Sequence, residues 1–170
     1  MEGLGSPFIL KKTLGGHLIM ALTLTIQDKK YTGKPSFAMA RYANENYGNY
    51  IEKANKYAQG IENILSGVIE GSIESIVQYW DAALAHLKER PSIAEIETAL
   101  EERIEQVGDT EPLLKEIYRE LSTSGFFKKT IKEFWKNIEM MQDFGATDEE
   151  KEQNKKAYDM MQKLKAEIEE

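Results

Sequence analysis

From Leu22 to Ile26 the chain alternates, with Leu22, Leu24 and Ile26 on one side and Thr23 and Thr25 on the other. A period of two marks a half-buried strand, because successive side chains leave a strand on opposite faces. Gln27-Asp28-Lys29-Lys30 reads as a turn, Tyr31-Thr32 begins a return strand, and Gly33 and Pro35 end it. Beyond Pro35 the apolar spacing changes to threes and fours. Helices are predicted from Ser36 to Tyr47, with Phe37, Ala40 and Tyr42 or Ala43 buried; from Asn49 to Ser66, loosened at Gly60; and from Ser72 towards Leu87. The third carries Ile73, Ile76, Val77, Trp80, Leu84 and Leu87 on one stripe and stops before Pro91.

Ser92-Ile93-Ala94-Glu95 has the spacing of a capping box, in which the Ser oxygen and the Glu carboxylate each satisfy a backbone N–H of the first turn. Ile93, Ile96, Leu100, Ile104 and Val107 then share a face, and Gly108 closes the helix. Glu111-Pro112 opens the next, with Leu113, Leu114, Ile117, Tyr118 and Leu121 inward. Phe126 to Phe144 is the most aromatic segment. Its Phe127, Ile131, Phe134, Trp135, Ile138 and Met141 read as core packing, and Met140-Met141 is assigned to the interior.

A second capping box, Thr147 to Glu150, starts a last helix whose stripe is thin: Ala157, Met161, Leu164 and Ile168. So narrow a stripe holds a helix weakly. The predicted fold is therefore mainly α, a bundle-like domain of about six helices preceded by a short β-hairpin. Residues 20–145 form that domain, and 146–170 a loosely docked helix or a linker to a further extension.

Composition narrows the function without naming it. At 170 residues the chain suits one domain, and the absence of Cys removes disulfides, thiolate metal sites and a thiol nucleophile. The net charge of −7 is uneven: residues 1–50 carry +3, 51–145 carry −7 and 146–170 carry −3. An acidic body argues against nucleic-acid binding, which needs clustered cations. The exception, Lys128, Lys129, Lys132 and Lys136, reads as a solvated helix face. No apolar run is long enough to span a bilayer.

Catalytic candidates fail one by one. Two His, at 17 and 86, make no metal cluster, and His86 reads as a satisfied side chain rather than a general base. Glu101-Glu102 and Glu149-Glu150 are helix neighbours whose carboxylates point apart. No phosphate loop is present. No catalytic, cofactor or metal residue is assigned, and the chain is read as a non-enzyme.

Residues 1–19 fit no secretory signal. Gly15-Gly16 stands three codons before Met20, the spacing of a ribosome-binding box read as codons. Met20 is accordingly expected to be the native start, with 1–19 a non-native leader or disordered, and His17 without a role. Interaction signals are stronger: a hairpin edge at Thr23 and Thr25, open to strand addition, and the helix face of Met160, Met161, Leu164 and Ile168. Met160-Met161 is expected to be exposed.

The order of parts carries a resemblance. LTIQDKKYTGKPSFAMAR leads into a helix; GSIESIVQYWDAALAHLKERPSIAEIETALEE follows; and a Pro-then-Leu helix ends in ELSTSGFFKK. Over roughly residues 20–135 this resembles the tail assembly chaperones of long-tailed (siphovirus-type) bacteriophages and prophages of Gram-positive bacteria. The resemblance implies a protein of the host cytoplasm that binds the tape measure protein, keeps it soluble, recruits tail tube protein, self-associates and is absent from the mature virion. It also implies that a frameshift near the gene's end can append an extension after the last helix. The rival readings are a structural virion or head–tail connector component and a small DNA-binding regulator.

Overall fold

The structure is a computed structural model that describes the backbone of residues 9–14 and 17–170 and the side chains from residue 21 onward. Strands β1 (Ile9–Leu14), β2 (His17–Ile26) and β3 (Lys29–Thr32) form an antiparallel sheet with β2 at its centre. Helix α1 (Phe37–Tyr47) leads to a small hairpin, β4 (Asn49–Ile51) and β5 (Lys56–Ala58). Helices α2 (Gly60–Ile69), α3 (Ile73–Ala83), α4 (Ile93–Val107), α5 (Glu111–Thr123), α6 (Lys128–Met141) and α7 (Asp148–Glu169) complete the described chain. The mainly α class with its N-terminal hairpin holds, with seven α-helices among the described residues.

The predicted hairpin is β2–β3, with Leu24 opposite Tyr31 and Ile26 opposite Lys29. Its turn is only Gln27-Asp28, both at positive φ (48° and 62°), as the tightest twisted hairpins require. Lys29 and Lys30 consequently belong to the return strand. Leu22, Leu24 and Ile26 are buried against the helices. Strand β1 pairs β2 along His17–Leu22, in the register Ile9 opposite Leu22, upstream of the edge expected to be open at Thr23 and Thr25. Of the leader expected at 1–19, residues 1–8 and 15–16 and the His17 side chain lie outside the described residues.

Residues 49–58 correct the sequence reading. They form no helix but the β4–β5 hairpin, closed by a 3₁₀ turn at Glu52–Ala54 and by Asn55 in the left-handed region at φ 46°. Tyr50 and Tyr57 stack across it with ring centroids 5.1 Å apart, and the Tyr50 hydroxyl donates to Asn55 Oδ1 at 2.5 Å. Helix α2 then starts at Gly60, where a Cβ would stand 2.1 Å from the Ala43 carbonyl oxygen. Only glycine lets α2 approach α1 so closely.

The core joins Leu24 of the sheet to Met39 and Ala43 of α1, Ile64, Leu65 and Val68 of α2, Ile76, Tyr79 and Trp80 of α3, Ile96 and Leu100 of α4, and Leu113 to Leu121 of α5. Phe37, predicted inward, is 73% exposed because it is the first residue of α1; Met39 takes the inner place. Ile73 and Ile93, also first residues of their helices, are exposed for the same reason. Helix α3 ends at Ala83, four residues short of Leu87, and turns follow.

A buried polar knot ties α1 to α3. Asp81 accepts the Tyr47 hydroxyl at 2.5 Å and a guanidinium N–H of Arg90, whose Nη2 also donates to the Asp81 carbonyl at 2.6 Å. The guanidinium lies 4.2 Å from the centroid of the Tyr42 ring. Burial, then the Asp81 hydrogen bond, raises the Tyr47 pKa above its ordinary value, so this phenol stays a donor.

Candidate functional site

Three surfaces remain after the core is closed. The first is a groove of about 690 Å³ between the Thr23–Asp28 segment and α4, lined on the helix by Ala94, Glu95, Thr98, Ala99, Glu102 and Arg103. Thr25 is exposed on its rim, whereas Thr23 is buried. Glu95 also serves the capping box with Ser92: Glu95 Oε2 accepts the Ser92 N–H at 2.8 Å, and Ser92 Oγ accepts the Glu95 N–H at 3.3 Å. These bonds to the charged form, backbone first, hold the Glu95 pKa below the usual carboxylate range.

Behind the sheet, Glu120 of α5 is buried and its Oε1 accepts the Leu22 N–H at 3.3 Å. Its Oε2 has no hydrogen-bond partner. Burial pushes its pKa up to about 7, against a smaller opposing pull from the Leu22 N–H. The sequence signal was available, since Glu120 stands three residues after Ile117 on the inward side of α5.

The second surface is apolar and lies where α6 turns into α7. Met140, Met141, Phe144 and Met160 are all exposed. The assignment of Met140-Met141 to the interior is therefore corrected: α6 runs past the end of the core, and its last inward side chain, apart from half-buried Phe134, Trp135 and Ile138, is Ile131. Met160 is 63% exposed as expected, but Met161 is half-buried against the core. Phe37 and Phe126 form a further exposed edge-to-face pair, centroids 5.1 Å apart.

The third surface is the seat of α7. Ile168 is buried, and Leu164 and Met161 pack beside it. The Tyr118 hydroxyl donates to Glu169 Oε1 at 2.7 Å and accepts the Trp135 indole N–H at 3.2 Å, while Lys165 Nζ sits 4.9 Å from the Trp135 ring centroid. Burial, then the bond to Glu169, raises the Tyr118 pKa. The sequence placed Tyr118 and Trp135 in the core and missed that they grip α7. The six predicted contact residues thus fall at two places: Thr23 and Thr25 at the first groove, Met160, Met161, Leu164 and Ile168 along α7.

Nothing in these surfaces assembles a reacting centre. His86 Nδ1 lies 3.0 Å from the Ala83 carbonyl oxygen, a local helix-end contact. Among the described residues no cluster of His, Asp and Glu could hold a metal ion, and no helix is long and apolar enough to cross a membrane. The lysines of α6 are exposed, and Lys129 pairs with Glu133 on the same face at 3.7 Å.

Comparison of sequences names the class. Residues 23–136, about two thirds of the chain, match the family described as phage tail assembly chaperone protein, TAC. The chain belongs to this family. No curated protein and no solved structure is significantly similar to it. The matched stretch begins in β2 and ends within α6, so it includes the first groove, Glu120 and the seat residues Val68, Ile69, Leu114, Tyr118 and Trp135, and leaves α7 outside. Tail assembly chaperones are not an enzyme class.

Proposed function

We propose that this chaperone binds the tape measure protein in the host cytoplasm, keeps it soluble, and recruits tail tube protein while the tail is built. The observation that supports this reading most is the exposed apolar surface of Met140, Met141, Phe144 and Met160 on a member of the tail assembly chaperone family. A long helical client presents apolar stripes that need a temporary cover, and flexible thioethers fit many such stripes without selecting one. Self-association along the client, with the rim at Thr25 as a contact, belongs to the same reading. So does departure before the virion is complete.

The test is co-expression with the tape measure protein of the same phage, followed by mass spectrometry of purified virions. The reading expects the tape measure protein to move into the soluble fraction with the chaperone bound, and expects no chaperone in the virions. Abundant chain in virions would favour a structural connector instead.

A further inference from the structure

We infer that the seat of α7 is a site for an amphipathic helix of the client, and that α7 is a displaceable stand-in for it. The inference rests on the proposed chaperone reading and adds the location and shape of the contact.

The occupant shows what the seat accepts. Met161, Leu164 and Ile168 follow one another at spacings of three and four, the signature of a helix laid into a groove. Tyr118 and Trp135 add polar recognition, one donating to a carboxylate and the other facing a cation. A fitting client segment is therefore a helix with three apolar residues at that spacing, a cation one position after the middle one, and an acid one position after the last.

Helix α7 leaves part of the seat uncovered. A solvent-open cleft of about 310 Å³ lies beside Leu164 and Ile168, lined by apolar Val68, Ile69 and Leu114 and by polar Glu70, Glu111 and Lys115. A larger occupant would cover the apolar part of that cleft and add dispersion contacts there. The first half of α7, Asp148 to Lys156, has almost no buried surface, so its grip depends on the last three turns. The walls Val68, Ile69, Leu114, Tyr118 and Trp135 all belong to the family-matched stretch, while α7 does not. The seat is thus part of the shared unit, and its cover is not.

The test uses the full chain with Leu164→Gln and Ile168→Gln, which undock α7 while keeping a good helix former, and a fluorescent peptide of residues 147–170 as the probe. A site covered in cis binds in trans with an affinity reduced by the fraction of time it stands open. The variant should bind the peptide at least tenfold more tightly than the native chain, and the tape measure protein should compete the peptide off. Failure of a folded variant to bind the peptide overturns the inference, as does peptide binding that the tape measure protein leaves untouched. Solubility of the co-expressed tape measure protein is scored separately, so the chaperone reading and the seat can fail independently. Should the variant not fold, amide exchange of the native chain decides. Amides of 157–169 exchanging at least tenfold faster than those of α3 and α5 support a displaceable α7, and equal protection overturns it.

Discussion

Glu120 Oε1 accepts the backbone N–H of Leu22 at 3.3 Å, tying α5 to the central strand across 98 positions of sequence. The carboxyl is buried, its second oxygen is unpartnered, and its pKa rises from 4.5 to about 7. Between those two values the folded state binds more protons than the unfolded one, so stability falls as pH rises through that window and levels off above it. The bond to Leu22 survives in both forms, but the charged form carries the cost of burial. Glu120→Gln keeps an acceptor for Leu22 and removes the titration. Urea denaturation should find the variant more stable than the native chain by about 2 kcal/mol at pH 8 and similar to it at pH 4.5.

The Asp81 knot makes the opposite prediction. Asp81→Ala strands the Tyr47 hydroxyl and the half-buried guanidinium of Arg90, both of which point at it. Removing one partner of a buried pair leaves the other's desolvation uncompensated, and the expected loss is about 3 kcal/mol by urea denaturation. Because the knot lies between α1 and α3, away from α7, peptide binding at the α7 seat should be unchanged in a variant that still folds.

Gly60→Ala should be far worse than its size suggests. The new methyl would stand 2.1 Å from the Ala43 carbonyl oxygen, so α1 and α2 must part, and the bond from the Gly60 N–H to Asn44 Oδ1 at 2.9 Å is lost with them. A loss of about 3 kcal/mol is expected. Gly125→Ala is the control: no atom lies within 4 Å of its added Cβ, and its thermal midpoint should move by no more than a degree or two.

Tyr118→Phe removes one hydroxyl that serves both Glu169 and Trp135. The α5 core should keep its packing, since the ring remains. Docking of α7 should weaken by about 1 kcal/mol, read as faster amide exchange confined to the last three turns of α7.

Local chemistry was the most legible part of the sequence. Ser92 with Glu95 and Thr147 with Glu150 formed both predicted capping boxes, because a cap needs only residues three apart. The apolar face of α5 was legible residue by residue because it is continuous, whereas buried Glu120 on the same side was missed. The β4–β5 hairpin was not, because its apolar positions fit a helix on paper; Asn55 at positive φ and the Tyr50–Tyr57 contact decide for strands. Met140 and Met141 were misplaced for a different reason. Periodicity finds which face of α6 is apolar but cannot say where the core beneath it ends. At the candidate sites, Met160 is exposed and Ile168 buried on one helix, because only the end of α7 reaches Val68, Ile69 and Leu114.

The proposed function asks exposed Met140, Met141, Phe144 and Met160 to cover a tail protein during assembly. The most direct measurement is the soluble fraction of the tape measure protein co-expressed with the native chain and with a variant carrying Met140→Ser, Met141→Ser, Phe144→Ser and Met160→Ser. All four side chains are exposed, so the variant should fold as the native chain does. The tape measure protein should be mostly soluble with the native chain, and its soluble fraction should fall at least fivefold with the variant. Equal solubility with both, or none with either, would contradict it.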